Sequence, residues 1–200
     1  MKVHEYLECV QNGVTPPEPP DCVTEPYRWG RGDDDWKVRE ECNSRGMWTI
    51  VDAIWTKALA DILWGKRVLE IMAGGGWIAK ALQEHGLHVL PTDSFDFLET
   101  RHEYGPVVPV EALDAQAAIL AYGGDSDVLL VSWDPLGSTA LLDALPLWGM
   151  DKPIVYIGES YGGCTGVEEF WEVFECEELE IPFYAWHGIH DFVSMGLYKP

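Results

Sequence analysis

Apolar residues recur at helical spacing through residues 49–63, and a short continuous apolar run follows at residues 68–71. The first pattern predicts an amphipathic helix and the second a buried strand. After three glycines the apolar residues of 77–82 again have helical spacing, and a second apolar run at 88–92 leads into Asp93. This order of helix, strand, glycine turn, helix, strand and acid predicts the start of an α/β sheet.

The turn after the first predicted strand contains the pattern Glu70-x-Met72-x-Gly74-x-Gly76. Glycines in such a turn let the backbone come close to a ligand, and an acid at the end of the next strand can accept hydrogen bonds from ribose hydroxyls. The spacing differs from the G-x-G-x-x-G of dinucleotide-binding proteins. The region from Glu70 to Asp93 therefore predicts a nucleoside-binding half-unit of an α/β fold.

The remainder of the chain continues the alternation of strands and helices. A third strand is predicted at 107–110, followed by a helix from Glu111 to about Ala121. A fourth strand at 127–132 and a fifth at 153–157 flank a helix that begins near Ser138 and ends at Pro146. The remaining expected elements are a helix opened by the capping box Thr165-x-x-Glu168 and a closing strand pair at 178–185 and 192–199.

Residues 1–47 differ from the rest in composition, with the proline-rich run 16–20 and three consecutive aspartates at 33–35. Such a segment predicts an irregular arm. Its aromatic residues Tyr27, Trp29 and Trp36 are too apolar for a free tail, which favours a lid folded onto the main domain. We therefore expect an arm or lid at 1–47 and one domain at 48–200.

The net charge of -21 narrows the range of partners. Binding of nucleic acid draws most of its affinity from neutralised phosphates, so long DNA or RNA is disfavoured although not excluded. A small molecule or a basic protein fits such a surface better. An acidic mimic of nucleic acid is the other function that this charge favours.

The five cysteines are scattered and contain no C-x-x-C, which predicts neither a disulfide framework nor a zinc site. His187, His190 and Asp191 lie close in sequence, but two histidines in one loop rarely form a metal site without further spaced ligands. No metal site is predicted. The sequence contains no apolar run of membrane-spanning length and no signal-peptide core at its start, so we expect a cytoplasmic protein.

The Glu70–Gly76 pattern, with Asp93 after the second strand, resembles the acid-x-G-x-G-x-G motif of class I methyltransferases that depend on S-adenosylmethionine (SAM). Met72 stands where that family has its first glycine. The resemblance implies a three-layer α-β-α sandwich whose mostly parallel seven-stranded sheet ends in an antiparallel C-terminal pair. It also implies SAM as cofactor and S-adenosylhomocysteine as product. The residues expected to bind the cofactor are Glu70, Ala73, Gly74, Gly76, Asp93, Asp114 and Ala115.

Asp114 has two compatible interpretations, as a helix N-cap or as the acid that accepts a hydrogen bond from the adenine amino group. The loop Ser132-Trp133-Asp134-Pro135 is similar to the [Asp/Asn/Ser]-Pro-Pro-aromatic loop of amino-group methyltransferases, in either of two incomplete registers. The resemblance implies Asp134, Ser132 and Trp133 as catalytic residues. Asp134 would orient or deprotonate the acceptor, and Trp133 would form a stacking wall.

Two functions from different classes follow. The first is methyl transfer from SAM (EC 2.1.1.-) to a small-molecule or protein acceptor. The second is a SAM-binding fold that has lost transfer and acts as an acidic binding or decoy protein, which Met72 and the incomplete loop motif favour. The chain is also similar to uncharacterised methyltransferase-like proteins of viruses and microbes. A nicotinamide-dependent oxidoreductase is disfavoured by the glycine spacing.

Overall fold

One seven-stranded sheet organises the chain in the computed structural model, which describes residues 1–24, 32–96 and 104–200. The spatial order is β3-β2-β1-β4-β5-β7-β6. The first five strands in this order run parallel, whereas β7 is antiparallel to both β5 and β6. The strands are β1 (Arg67–Ile71), β2 (His88–Asp93), β3 (Glu111–Ala112), β4 (Val128–Ser132), β5 (Ile154–Gly158), β6 (Phe174–Glu178) and β7 (Phe192–Tyr198).

Helices cover both faces of the sheet because alternate strand residues face opposite sides and both sets are apolar. The helices are α1 (Val3–Gln11), α2 (Asp21–Thr24), α3 (Gly32–Ser44), α4 (Ala53–Ile62), α5 (Trp77–Glu84), α6 (Ala115–Tyr122), α7 (Ala140–Trp148) and α8 (Glu168–Glu172). On one face of the sheet, Val68, Leu130 and Val155 pack against α1, α3, α4 and α5, and we call this side of the core the first layer. On the other face, Leu69 and Leu129 pack against α6, α7 and α8, which form the second layer.

The predicted fold class is confirmed: the protein is a three-layer α-β-α sandwich whose mostly parallel sheet ends in an antiparallel C-terminal pair. The order of the parallel strands reverses between β1 and β4, which pair side by side although β2 and β3 lie between them in sequence. Open α/β sheets bind ligands at such a switch point, beyond the carboxyl ends of the strands.

The prediction of an irregular arm at 1–47 was wrong where the structure describes it. The described part contains α1, α2 and α3, and Tyr6 and Val10 of α1 are buried in the first layer. The Tyr6 hydroxyl donates to the Val51 carbonyl oxygen at 3.1 Å, which ties α1 to the main domain. Proline content correctly marked the connections but concealed the helices between them. Two of the predicted lid aromatics, Tyr27 and Trp29, lie outside the described residues.

Two errors in the predicted elements concern the third strand. The predicted strand at 107–110 is a connection, because Val107 N–H donates to the Gly75 carbonyl oxygen at 2.9 Å instead of joining the sheet. The pairing residues are Glu111 and Ala112, which lie beside Thr92 and Asp93. The following helix accordingly begins at Ala115 and not at Glu111.

Three further boundaries differ. The helix predicted to begin at residue 49 begins at Ala53, because Asp52 caps it by accepting from Ile54 N–H at 2.8 Å. Helix α7 extends past Pro146 to Trp148, since a proline in the last turn removes only one hydrogen bond. The closing strand predicted at 178–185 is at 174–178, and the chain beyond it leaves the sheet.

Candidate functional site

Among the described residues, three that are not glycine have left-handed backbone conformations, and all three follow the carboxyl ends of parallel strands. Met72 (φ 56°) follows β1, Phe95 (φ 60°) comes shortly after β2, and Trp133 (φ 55°) follows β4. This conformation costs an L-residue roughly 1–2 kcal/mol. Strained backbone persists where the surroundings enforce it, and it clusters at functional sites. The strain therefore marks this edge independently of any sequence motif.

The glycine turn after β1 uses its own N–H groups internally. Ala73 N–H donates to the Thr92 carbonyl oxygen at 3.0 Å and Gly74 N–H to Asp93 Oδ2 at 2.7 Å. Gly75 N–H donates to the Gly46 carbonyl oxygen at 3.1 Å and Gly76 N–H to that of Ala73 at 2.8 Å. All four donors thus have partners within the chain.

Glycine is required in this turn because other parts of the chain pack closely against it. A Cβ at position 75 would collide with the Arg45 carbonyl oxygen, and one at position 76 would lie 2.8 Å from Val108 Cγ2. Gly76 also has a left-handed backbone, with φ 72°. The sequence predicts that these glycines leave room for a ligand. The structure gives another reason for them, because residues 45–48 and 107–110 pack directly onto the turn.

Glu70 is buried at the end of β1, with 1% of its surface exposed. Its side chain faces the first layer, where the N–H of Ala79 in α5 contacts it, and its Oε2 is buried with no hydrogen-bond partner among the described residues. Burial raises the pKa of Glu70 to about 8, and the charge of Asp93 adds to that shift against the Ala79 hydrogen bond. Glu70 lines a small cavity together with Trp48, Thr49, Met72, Ala73 and Ser132, among others.

Asp93 ends β2 and holds two backbone segments. Its Oδ2 accepts from Gly74 N–H, and its Oδ1 accepts from Phe95 N–H at 2.7 Å. Each carboxylate oxygen has two acceptor positions, so each retains one. Asp93 is therefore both a structural clamp on the glycine turn and an acceptor available to a ligand.

Asp114 is the N-cap of α6, accepting from Ala117 N–H at 2.8 Å. It is near the end of β2, because Leu113 N–H donates to the Asp93 carbonyl oxygen at 3.0 Å. Asp114 and Ala115 line an open cleft between α6 and α7, with Ser138 and Asp143 on its other side. The N-cap interpretation is confirmed, and the structure does not bring Asp114 into the cavity of Glu70.

Ser132 and Trp133 lie at the end of β4, beside β1. Ser132 borders the cavity of Glu70. The ring of Trp133 stacks on that of Trp48, with 6.2 Å between centroids and 22° between planes. Its indole N–H donates to Asp191 Oδ2 at 2.9 Å. The structure therefore brings Ser132 and Glu70 to one cavity, and Trp133 stacks on Trp48, which lines the same cavity.

Asp134 points into the second layer. It is 2% exposed, and Tyr156 of β5 donates its hydroxyl to Asp134 Oδ1 at 2.8 Å. The same hydroxyl lies 2.9 Å from Thr165 Oγ1, and Thr165 donates to the Glu159 carbonyl oxygen at 2.9 Å. Burial raises the pKa of Asp134 to about 6, against the Tyr156 hydrogen bond. Asp134 thus belongs to a continuous hydrogen-bonded chain away from Glu70.

Sequence reasoning missed two residues near Trp133. Asp191 is buried, and burial raises its pKa to about 7 although the Trp133 N–H opposes the shift. Its Oδ1 makes no hydrogen bond among the described residues. The guanidinium of Arg39 lies 5.2 Å from the centroid of the Trp133 ring. In the sequence, Asp191 stands out only as a candidate metal ligand, because it follows His187 and His190 in one loop.

Metal ligands, cysteines and helix length complete the description of the described residues. Within the described residues, no three His, Cys, Asp or Glu side chains come together as metal ligands do. The five cysteines are present as free thiols. Of the helices in the described ranges, none combines the length and the apolar character that crossing a membrane demands.

No protein-family model matches the sequence, and no curated protein matches it. Solved structures that the chain resembles include SAM-dependent methyltransferases. The ribosomal protein L11 methylase of Lactobacillus delbrueckii subsp. bulgaricus is 16% identical with a TM-score of 0.42, over 72% of this chain and 77% of that one. A TehB-like SAM-dependent methyltransferase of Corynebacterium glutamicum is 18% identical with a TM-score of 0.46, over 86% and 100%.

The trans-methyltransferase CalH, solved in complex with SAH, is 17% identical to the chain with a TM-score of 0.46. The similarity covers 82% of this chain and 62% of CalH, so the chain spans less than two thirds of that protein. These similarities concern the arrangement of the sheet and its helices. The resemblance to viral and microbial proteins stays a prediction.

Proposed function

We propose that the protein is a methyltransferase that uses SAM as its methyl donor. The observation that carries this proposal is Glu70 Oε2, which is buried at the switch point of the sheet and has no hydrogen-bond partner in the described part of the chain. Leaving a buried acceptor unpaired costs on the order of 1–3 kcal/mol. A positively charged hydrogen-bond donor satisfies this position best, because it also stabilises the ionised carboxylate.

The chemistry of SAM fits these residues. Its methionyl end carries an ammonium, which Glu70 would bind, and its ribose carries two hydroxyls, for which Asp93 retains acceptor positions. Ala73, Gly74, Gly76, Asp114 and Ala115 are proposed to complete the cofactor contacts. When bound, SAM supplies a methyl group on a positively charged sulfur.

A dinucleotide fits the same residues poorly. Pyrophosphate binds to free backbone N–H groups of a glycine turn and to the N-terminus of the following helix. Here the four N–H groups of residues 73–76 have internal partners, and the carboxyl of Glu70 contacts Ala79 N–H in the first turn of α5. This supports a cofactor with a cationic end over a nicotinamide dinucleotide.

The acceptor is proposed to bind at the end of β4. Methyl transfer depends mainly on positioning, so few catalytic groups are needed. Ser132 can hydrogen-bond an acceptor beside the cavity of Glu70, and Trp133 provides a flat apolar wall. Asp134 holds the turn that carries both. That Asp134 also touches the acceptor stays a prediction. The charge of -21 favours a small-molecule or protein acceptor over nucleic acid.

The second candidate is an acidic binding or decoy protein without transfer activity. It is favoured by Met72, which stands where the resembled motif has its first glycine and has a left-handed backbone conformation. A fold retained for its surface alone would tolerate such a change. This candidate predicts no SAM binding and tight association with a basic protein.

Calorimetric titration of the protein with SAM, S-adenosylhomocysteine and NAD tests the proposal. We expect the first two to bind and NAD not to bind. A ligand at a hundred times its dissociation constant adds about 2.7 kcal/mol to the free energy of unfolding, so thermal denaturation gives a second readout. Binding of NAD alone would indicate an oxidoreductase, and no response to SAM or its product would favour the acidic binding protein.

The Glu70→Gln variant locates the site. We expect it to bind SAM at least about tenfold more weakly, because it loses a charge-assisted hydrogen bond. Glu180→Gln changes the same functional group at an exposed position and serves as the matched control. Equal SAM affinity in Glu70→Gln and the control would show that Glu70 is not the ammonium ligand.

A further inference from the structure

A second cluster of aromatic and charged side chains lies around Trp133, which follows β4. The guanidinium of Arg39, a residue of α3, lies over two indole rings, 5.0 Å from the centroid of Trp36 and 5.2 Å from that of Trp133. Aromatic faces attract cations at such distances. The rings thus form two walls of a cation site that Arg39 fills.

Two acidic groups complete the electrostatics of this cluster. Burial lowers the pKa of Arg39, and the charges of Asp191 and Glu159 oppose that shift. Burial alone would raise the pKa of Glu159, yet the N–H groups of His190 and Cys164 on its two oxygens hold that pKa below its usual range. Glu159 therefore stays ionised, and its negative charge favours a cation over these rings.

Arg39 is held there incompletely. Its Nε is buried and has no hydrogen-bond partner among the described residues. A guanidinium has five N–H donors, and one that is structural in a core normally uses them in bidentate ion pairs. Trp36, by contrast, is 55% exposed, so one wall of the site borders solvent. The site is open on one side, and its occupant has a donor that no described residue satisfies.

Contacts of other residues, and not of Arg39, hold helix α3 in place. Asp35, one helical turn earlier on the same face of α3, hydrogen-bonds through its Oδ2 to His187 Nδ1, in the loop before β7. Val38 and Cys42 of the same helix are buried in the first layer. The Arg39 side chain can therefore leave the rings without displacement of α3.

We propose that Trp36, Trp133, Asp191 and Glu159 form a binding site for an organic cation of the guanidinium type, and that Arg39 is the chain's own occupant of that site. A guanidinium from a small molecule or from an arginine side chain would replace Arg39. If the proposed function holds, this site binds the cationic group of the acceptor. The binding itself does not depend on SAM, so the two proposals can fail separately.

Binding of ethylguanidinium, measured by tryptophan fluorescence and calorimetry without SAM, tests the proposal. The Arg39→Ala variant vacates the site, and Lys37→Ala removes a neighbouring exposed charge as its matched control. We expect Arg39→Ala to bind ethylguanidinium about tenfold more tightly than the wild type, because the wild-type site is already occupied for most of the time. Lys37→Ala should bind like the wild type, and urea, neutral and of similar shape, should bind to neither.

The double variant Arg39→Ala/Trp36→Ala removes an exposed wall without risk to the core. We expect it to lose the gained affinity, whereas Arg39→Ala/Trp64→Ala, which removes an exposed tryptophan at the opposite edge of the sheet, should retain it. Agmatine and a Gly-Arg-Gly peptide then distinguish a free small molecule from a peptide side chain as the source of the guanidinium.

Two results would overturn the proposal. One is equal affinity of the wild type and Arg39→Ala for ethylguanidinium. The other is binding of acetate to the wild type and not to Arg39→Ala, which would make Arg39 itself a ligand for an anion.

Discussion

The carboxyl ends of β1 and β4 each carry a buried acid, and the two acids differ in how completely they are hydrogen-bonded. Glu70, the penultimate residue of β1, has an oxygen without a hydrogen-bond partner among the described residues. Asp134 after β4 is in a chain that passes through Tyr156 and Thr165 to the Glu159 carbonyl oxygen. A buried acid whose hydrogen bonds are complete is explained by the fold. One whose hydrogen bonds are incomplete requires something that the fold does not provide.

The proton count supports this contrast. With Asp134 ionised, the single Tyr156 proton is shared between Asp134 and Thr165, which lie 2.8 and 2.9 Å from the hydroxyl oxygen. With Asp134 protonated, each link of the chain has its own proton. The fold therefore provides for a neutral Asp134, whereas Glu70 in either protonation state has a buried oxygen without a hydrogen-bond partner among the described residues.

The largest expected effect concerns Glu70. Its pKa is about 8 in the folded protein and near 4.5 when unfolded, so wild-type stability falls as pH rises between these values. Relative to the wild type, the free energy of unfolding of Glu70→Gln should rise by about 4 kcal/mol between pH 4.5 and 8. Urea denaturation at several pH values measures this. A constant difference between the two proteins would contradict the raised pKa.

The same experiment on Asp134 should give a smaller change over a lower range. The folded pKa of about 6 lies above the ordinary 3.8, so the wild type loses stability as pH rises between these values. Asp134→Asn should gain about 2 kcal/mol on the wild type over this range, since its amide N–H can donate to Tyr156.

Asp134→Ala is the companion variant, because it lacks both the charge and the hydrogen bond. We expect it to be less stable than Asp134→Asn at every pH, while SAM binding is retained in both. If Asp134 contacts the acceptor directly, both variants lose turnover. If it only holds the turn, Asp134→Asn stays active.

The smallest expected effect is at Met72, which tests the backbone at the end of β1. Met72→Gly relieves the left-handed strain but adds chain entropy to the unfolded state, so the net change should be within about 1 kcal/mol. Met72→Val should destabilise by about 2 kcal/mol, because a β-branched residue adopts this conformation poorly. Met150→Val, at an exposed position, is the control. Equal effects of the two valine substitutions would contradict strain at residue 72.

The fold could be predicted because hydrophobic runs and turn residues are local signals. The strands from Arg67, His88 and Val128 stand out as apolar runs, and the glycine turn separates β1 from α5. Strand β3 was misplaced because Val107 satisfies its N–H at the glycine turn, a contact across 32 residues of sequence. The pattern of apolar and polar residues around position 107 does not indicate so distant a partner.

The candidate site was predictable only where it coincides with strand ends. Topology places Glu70, Asp93 and Ser132 at the ligand edge once the strands are known. The partnership of Trp133 with Asp191 spans 58 residues, and that with Arg39 joins the sheet to a helix near the N-terminus. Those pairs depend on packing, which spacing in the sequence does not encode.

The internally bonded glycine turn has a dynamic consequence. Amide protons of residues 73–76 that are held by partners in the unliganded protein should exchange slowly with solvent, like those of the strands beside them. Glycine-rich loops that become ordered only around their ligand lose conformational entropy on binding, which weakens affinity. This turn has already lost that freedom when the chain folds. Ligand affinity at this edge should therefore be set by the few groups that remain unpaired, and not by the ordering of the loop.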